Sequence, residues 1–343
     1  MTNSSYTLPQ IRKIITEGGN IALEHISFAL KKLDSEEVQE EYDSYDSIEK
    51  WNNLKELCEI ACSEQANGDA DDYHNLAVIF ARLNQFKFAV DVLDKGLEVH
   101  KFSDDLLADK IMYGIEGGFL RKSGDAYNRI MKLDRSIWKW RAYSFVISYC
   151  IEKAKGLPAG EAFTAFRSQA IALANDFIHY AEARSPASMD RAYYKKAEVA
   201  RFFGCDEKET DILKAGFGAV NLAPQCSLAL AEDAFEQGKY DEALPYVKKC
   251  IIASKRVQPD INPSYANLLY ALIKAQQLLN NVQDRDYSLH QGEIEEIYTF
   301  LHIAVDAYDA SKSIAKVVEQ TIRAMKIQTG IEDTAMAGSN DYI

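Results

Sequence analysis

Asp105, Asp109 and Glu116 fall with Met112 at steps of four, three and four. On an α-helix those steps bring successive side chains over one another, so the spacing predicts three carboxylates converging around one apolar contact. Such a face suits an Arg or Lys on a partner, with the thioether adapting to an apolar neighbour. Adjacent carboxylates such as Glu295 and Glu296 have the chemistry of acid–base hydrolysis, although 52 acidic residues make such adjacency common by chance. Cys58 and Cys62 share a helical face, but none of the six histidines offers a nearby finger-like ligand spacing, so no metal is expected. There is no phosphate-cradling glycine loop, nucleophile elbow, zinc-protease helix motif or calcium loop, and no cofactor is expected. The densest aromatic cluster is Trp138, Trp140, Tyr143 and Phe145. It reads as a core anchor in preference to a stacking platform for a ligand or base. His179 and His302 read as satisfied core histidines.

These residues need helices to position them. Apolar residues recur at three- and four-residue steps almost throughout, and alternating strand patterns of useful length are absent. The fold class is therefore all-α. Residues 1–69 form an N-terminal helical segment, with eight carboxylates and no basic residue over 34–49. From residue 70 the helices come in pairs joined by short turns, with two longer helices over 135–184. A tail over 328–343 lacks apolar periodicity and is expected to be disordered. Turns of two to four residues force antiparallel neighbours. No pair can bury its stripes alone, so stacked antiparallel hairpins are the expected arrangement.

With 39 basic and 52 acidic residues the formal charge is −13, which argues against a nucleic-acid partner. No run of 18 apolar residues occurs, so no membrane-spanning helix is expected. The first residues lack the pattern of a secretory signal, and six scattered cysteines suit a reducing compartment. The expected location is cytoplasmic.

Ala89 and Ser123 lie 34 residues apart at the same place early in a second helix. At the same spacing Tyr73 aligns with Leu107, Phe86 with Leu120, Leu93 with Tyr127, and Gly96 with Ile130. Gly238, Tyr240, Ala243, Val247 and Cys250 repeat the pattern. A small residue at Ala89 or Ala243 lets two helices approach closely, and an aromatic at Phe86 or Tyr240 fills the space beside the turn. The pattern resembles the tetratricopeptide repeat family, a helix-turn-helix unit of 34 residues. The unit from Ala70 matches through Tyr73, Leu76, Ala77, Phe80, Phe86, Ala89, Leu93 and Leu97. The unit from Pro224 matches through Leu230, Ala231, Gly238, Tyr240, Ala243 and Ile251. The unit between Tyr193 and Pro224 matches more weakly. Pro245 departs from the pattern and should bend or delay its helix.

The resemblance implies an α-solenoid, a superhelix whose first helices line a concave groove. Carried over residue by residue, the groove positions are His74, Asn75, Val78 and Arg82, then Asp105, Ala108, Asp109, Met112 and Glu116, then Leu228, Glu232, Phe235 and Glu236. Some family members clamp a C-terminal carboxylate with Lys and Asn, where this sequence has His74 and Val78; that binding mode is disfavoured. The acidic and apolar mixture suits a basic amphipathic segment. The first reading is a non-enzymatic scaffold or adaptor that binds a protein or peptide. A specialised form is a bacterial peptide-sensing regulator, with residues 1–66 as a helical effector segment. From another class, an all-helical α/α toroid hydrolase would use paired carboxylates, but toroids generally need longer units and long functional loops.

Overall fold

The computed structural model describes residues 66–82, 84–254, 262–282, 286–306 and 311–333, with Gln10, Lys13, Ile14, Ile21, Ala22, Glu56 and Ile60. The acidic stretch 34–49 and the Cys58–Cys62 pair lie outside the described residues. Ile21–Ala22 pairs in parallel with Ala66–Asn67 as β1 and β2, each of two residues. The remaining described elements are helices. The chain divides into two compact units, 1–177 and 178–343.

In the first unit, α1 (Ala70–Arg82) pairs with α2 (Phe86–Val99), and α3 (Asp104–Glu116) with α4 (Leu120–Ile130). Next come α5 (Trp140–Lys155) and α6 (Glu161–Arg184), which continues into the second unit. Their 16 and 24 residues exceed those of the flanking helices. Helix starts are specified locally. Asp69 and Asp72 cap each other's backbone N–H reciprocally, and the Ser103 hydroxyl accepts from the Leu106 N–H at 3.3 Å. Trp138 is 1% exposed beneath Tyr143, which stacks on Phe177 with a 7° interplanar angle, so these two are core, while Trp140 and Phe145 are half-buried.

The second unit holds the end of α6 and then α7 (Met189–Phe203), α8 (Glu209–Ala219), α9 (Pro224–Glu236) and α10 (Tyr240–Ser254). It closes with α11 (Pro263–Asn281), α12 (Gln291–Asp306) and α13 (Lys312–Thr329). Each is packed against its chain neighbour as antiparallel hairpins require. Pro245 lies inside α10 without ending it, because its missing N–H falls in the first turns on an exposed face. Helix α13 runs through Thr329, so the expected tail is ordered at its start. Gly330 turns the chain at φ +71°, and the residues after it return to α12. There the Tyr298 hydroxyl donates to the Ile331 carbonyl at 3.0 Å, and His302 meets Asp333 at 2.6 Å.

The 34-residue register recurs in the backbone itself. Within the first unit Asn84 and Gly118 have φ +57° and +75°; within the second Gly204 and Gly238 have +66° and +71°. Each pair is one repeat apart and occupies the turn between the helices of a hairpin, where left-handed backbone favours Gly or Asn. The interior contact is correlated in the same register. A Cβ on Gly96 would lie 2.7 Å from Tyr73 Cγ, and one on Gly216 would lie 2.6 Å from Tyr193 Cβ. In the equivalent places the other hairpins carry Leu107 with Ile130 and Ser227 with Cys250. A large residue on the first helix is thus matched by glycine on the second, and middling residues by middling ones. That complementarity lets the two helices of these four hairpins approach closely.

Candidate partner-binding face

In the first unit α1, α3 and α5 lie side by side, and the acidic face expected on α3 is already occupied from both sides. His74 of α1 meets the Asp109 carboxylate at 2.5 Å, and the Asp109 side chain is only 2% exposed. At the other flank Lys139 donates to Asp105, with Arg141 a further 3.7 Å contact, while the Lys139 backbone N–H bonds Asp104 at 2.9 Å. The three carboxylates therefore share a helix face without converging as free acids. The cause is the repeat: a side chain about 35 residues away stands opposite each of Asp105 and Asp109. Glu116 stays exposed at the end of α3, Met112 and Val78 are half-buried, and Asn75 is exposed. Arg82 ends α1, and its side chain lies outside the described set. Ala108 is buried.

In the second unit α7, α9 and α11 are the side-by-side first helices. Glu232 accepts from the Tyr265 hydroxyl of α11 at 2.8 Å. Burial, and then the bond to Glu232 and the charges of Glu232 and Glu236, push that hydroxyl's pKa far up. Tyr194 on α7 is pushed up to about 12, first by burial and then by Glu198; Arg201 opposes the shift, and Glu232 and Glu209 add to it. Tyr265 and Glu232 thus join α11 to α9, with Glu236 exposed at one edge, and Tyr194 on α7 stands within the field of Glu232; Glu198 is neutralised by Lys195 at 2.6 Å. Phe235 instead packs against Tyr240 at 5.7 Å and helps close its own hairpin. Leu228 is half-buried beside Cys250 and Ala266. Sequence reasoning missed Tyr194, Glu198 and Tyr265. Tyr194 was legible one repeat before Leu228, whereas Tyr265 enters only because α11 starts at Pro263, off the 34-residue register.

Glu295 and Glu296, adjacent in sequence, point apart. Glu295 is exposed and accepts from Gln291, whereas Glu296 accepts from the Tyr270 hydroxyl at 2.6 Å and meets Lys274 at 3.4 Å. His179 departs from expectation: its side chain is 78% exposed beside Glu182, because its face of α6 turns outward. His302 is half-buried against Asp333. Burial drives up the thiol pKa values of Cys150, Cys226 and Cys250, which makes them poor nucleophiles. Among the described residues no three His, Cys, Asp or Glu side chains gather to hold a metal, and no helix is long and apolar enough to cross a membrane.

The fold is tetratricopeptide-like. Solved structures similar to it include a tetratricopeptide repeat protein from Parabacteroides merdae, at 13% identity over 92% of this chain and 96% of that one, with a TM-score of 0.46. A thermophilic protein of the same type from Thermus thermophilus covers 58% of this chain and 98% of its own at 17% identity and a TM-score of 0.44. The C-terminal part of a repeat-containing protein from Cytophaga hutchinsonii covers 75% and 91% at 14% identity and a TM-score of 0.43. No family model and no curated protein matches the chain. The likeness stops at the fold, and the site has to be read from its own residues.

Proposed function

We propose that the chain is a non-enzymatic scaffold whose first-helix faces hold a basic amphipathic segment of a protein partner. The observation that carries this reading is the shelf of Glu232, Glu236 and Tyr265 on α9 and α11, with Tyr194 of α7 beside it. Tyrosine rings offer an apolar body and a π face to a cation, and neighbouring carboxylates supply the opposite charge. Because Glu232 is held by Tyr265, it is oriented before a partner arrives, which lowers the entropic cost of capture. In the first unit the corresponding positions are His74, Asn75, Val78, Arg82, Asp105, Asp109, Met112 and Glu116. Internal pairing of Asp105 and Asp109 leaves Glu116 as the contributing charge there.

The test is fluorescence anisotropy with a labelled helical peptide carrying Lys and Leu on opposite faces, against a counterpart with Glu in place of Lys. The full chain should bind the basic peptide alone, increasingly weakly as salt rises. Combining Glu232→Gln with Glu236→Lys should weaken binding by roughly tenfold or more. Equal binding of both peptides, or an unchanged affinity in the variant, rules the reading out.

A further inference from the structure

Among the described residues, one face of α13 is packed against no other helix. Ile314, Val318 and Met325 of α13 are buried against α11 and α12. The opposite side carries Lys312, Lys316, Arg323 and Lys326 against the single carboxylate Glu319. Lys312, Lys316 and Arg323 fall within a narrow angular stripe at 3.6 residues per turn. Lys326 meets Glu332 at 2.8 Å, whereas Lys316 and Arg323 form no ion pair among the described residues. Exposed apolar side chains share α13 with this stripe, Val317 at 37% and Ile327 at 73%. In a chain of formal charge −13, a cationic stripe on a helix with exposed apolar groups is the local exception.

We infer that α13 of one copy docks on the α7–α9–α11 shelf of a second copy, so that the chain associates head to tail. This rests on the reading above and names the partner. The shelf and the stripe are complementary: carboxylates with tyrosine rings on one, Lys and Arg with exposed aliphatic groups on the other. Their lengths also agree. From Lys312 to Ile327 the stripe runs about 22 Å, and three helices packed side by side span roughly 20 Å between outer axes. Both surfaces belong to the second unit, where α13 is fixed by its own buried face, so the helix cannot reach the shelf of its own molecule. Two different patches that meet only between molecules make a heterologous contact, which adds copies in one direction.

Sedimentation velocity of the full chain over a concentration series, at low and high salt, reads the association directly. The wild type should form dimers and longer chains that dissociate as salt rises. Combining Lys316→Glu with Arg323→Glu, or Glu232→Gln with Glu236→Lys, should leave each variant monomeric with unchanged circular dichroism. Mixing the two variants restores one intact stripe and one intact shelf, so a dimer that stops at two copies should appear. A monomeric wild type, unchanged association in both variants, or a mixture that stays monomeric overturns the proposal. A monomer that still binds the basic peptide through Glu236 overturns this inference alone and leaves the binding face standing. A monomer that uses Lys316 and Arg323 to bind vesicles of phosphatidylserine also overturns it, and assigns the stripe to a membrane surface.

Discussion

Replacing Gly96 by alanine tests the repeat register at its tightest point. The new Cβ would lie 2.7 Å from Tyr73 Cγ and 2.9 Å from Tyr73 Cβ. Both atoms sit at the root of a side chain that is 1% exposed, so turning the ring cannot relieve the contact and α1 and α2 must part. Overpacking of this kind costs about 1–3 kcal/mol. Removing a glycine from a helix interior returns up to about 1 kcal/mol. The net expectation is a loss of about 1–2 kcal/mol. Tyr73→Leu alone should also destabilise, since it removes buried ring area and the edge contact with His100 at 6.0 Å. Together the two changes should cost at least about 1 kcal/mol less than their sum. Leucine keeps Cβ and Cγ, but without the packed ring it can swing Cγ away by a change of χ1. The 2.7 Å contact is then relieved and the 2.9 Å contact with Cβ is what remains. Leu107 opposite Ile130 is the arrangement the next hairpin already uses. Gly156→Ala is the control, because nothing lies within 4 Å of its added Cβ. The assay is urea denaturation by circular dichroism, with hydrogen exchange of α1 and α2 to localise the loss. Additive effects, or a Gly96→Ala protein as stable as wild type, would refute the close approach and the register with it.

Two further predictions concern buried carboxylates and the chain's end. Burial raises the Asp104 pKa above 3.8, against the lowering effect of the Lys139 N–H, so the folded state holds that proton to higher pH than the unfolded chain. Its contribution to stability must therefore fall as pH rises from 3.8 through the raised value, and Asp104→Asn should flatten that part of a stability–pH curve; parallel curves would contradict it. Truncation after Asp333 should leave the melting temperature unchanged. Truncation after Thr329 should lower stability by about 1–2 kcal/mol by removing the partners of Tyr298 and His302, and equal melting of the two truncations would refute the role of residues 330–333.

The hairpins were legible because their signals are local. Phe86, Ala89 and Gly96 repeat as Tyr240, Ala243 and Cys250, and both sets occupy the expected places on second helices. Pro245 misled only in part, since a proline early in a helix on an exposed face removes one bond without turning the chain. Residues 328–333, at the start of the expected tail, escaped the sequence for a different reason. Ile331 and Asp333 show no period of their own, and their order comes from Tyr298 and His302 on another helix. His179 was misjudged because an aromatic neighbour in sequence says nothing about which way a 24-residue helix turns its face.

The charged face shows why a repeat protein's binding surface cannot be read from one helix at a time. Along α3 the steps from Asp105 to Glu116 are those of a single acidic stripe, and the backbone delivers that geometry. What the stripe can do is decided one repeat away on either side. His74 pairs with Asp109 from 35 residues before it, and Lys139 meets Asp105 from 34 residues after it. On α9 the same logic has the opposite outcome, because the neighbours of Glu232 include two tyrosines. A hydroxyl orients the carboxylate and leaves its charge in place, whereas a lysine cancels it. Lysine pairing therefore closes Asp105 in the first unit and Glu198 on α7 in the second, whereas on α9 Glu232 and Glu236 keep their charge beside an aromatic ring. The correlation across repeats, more than the composition of any one of them, sets where a cationic partner can dock.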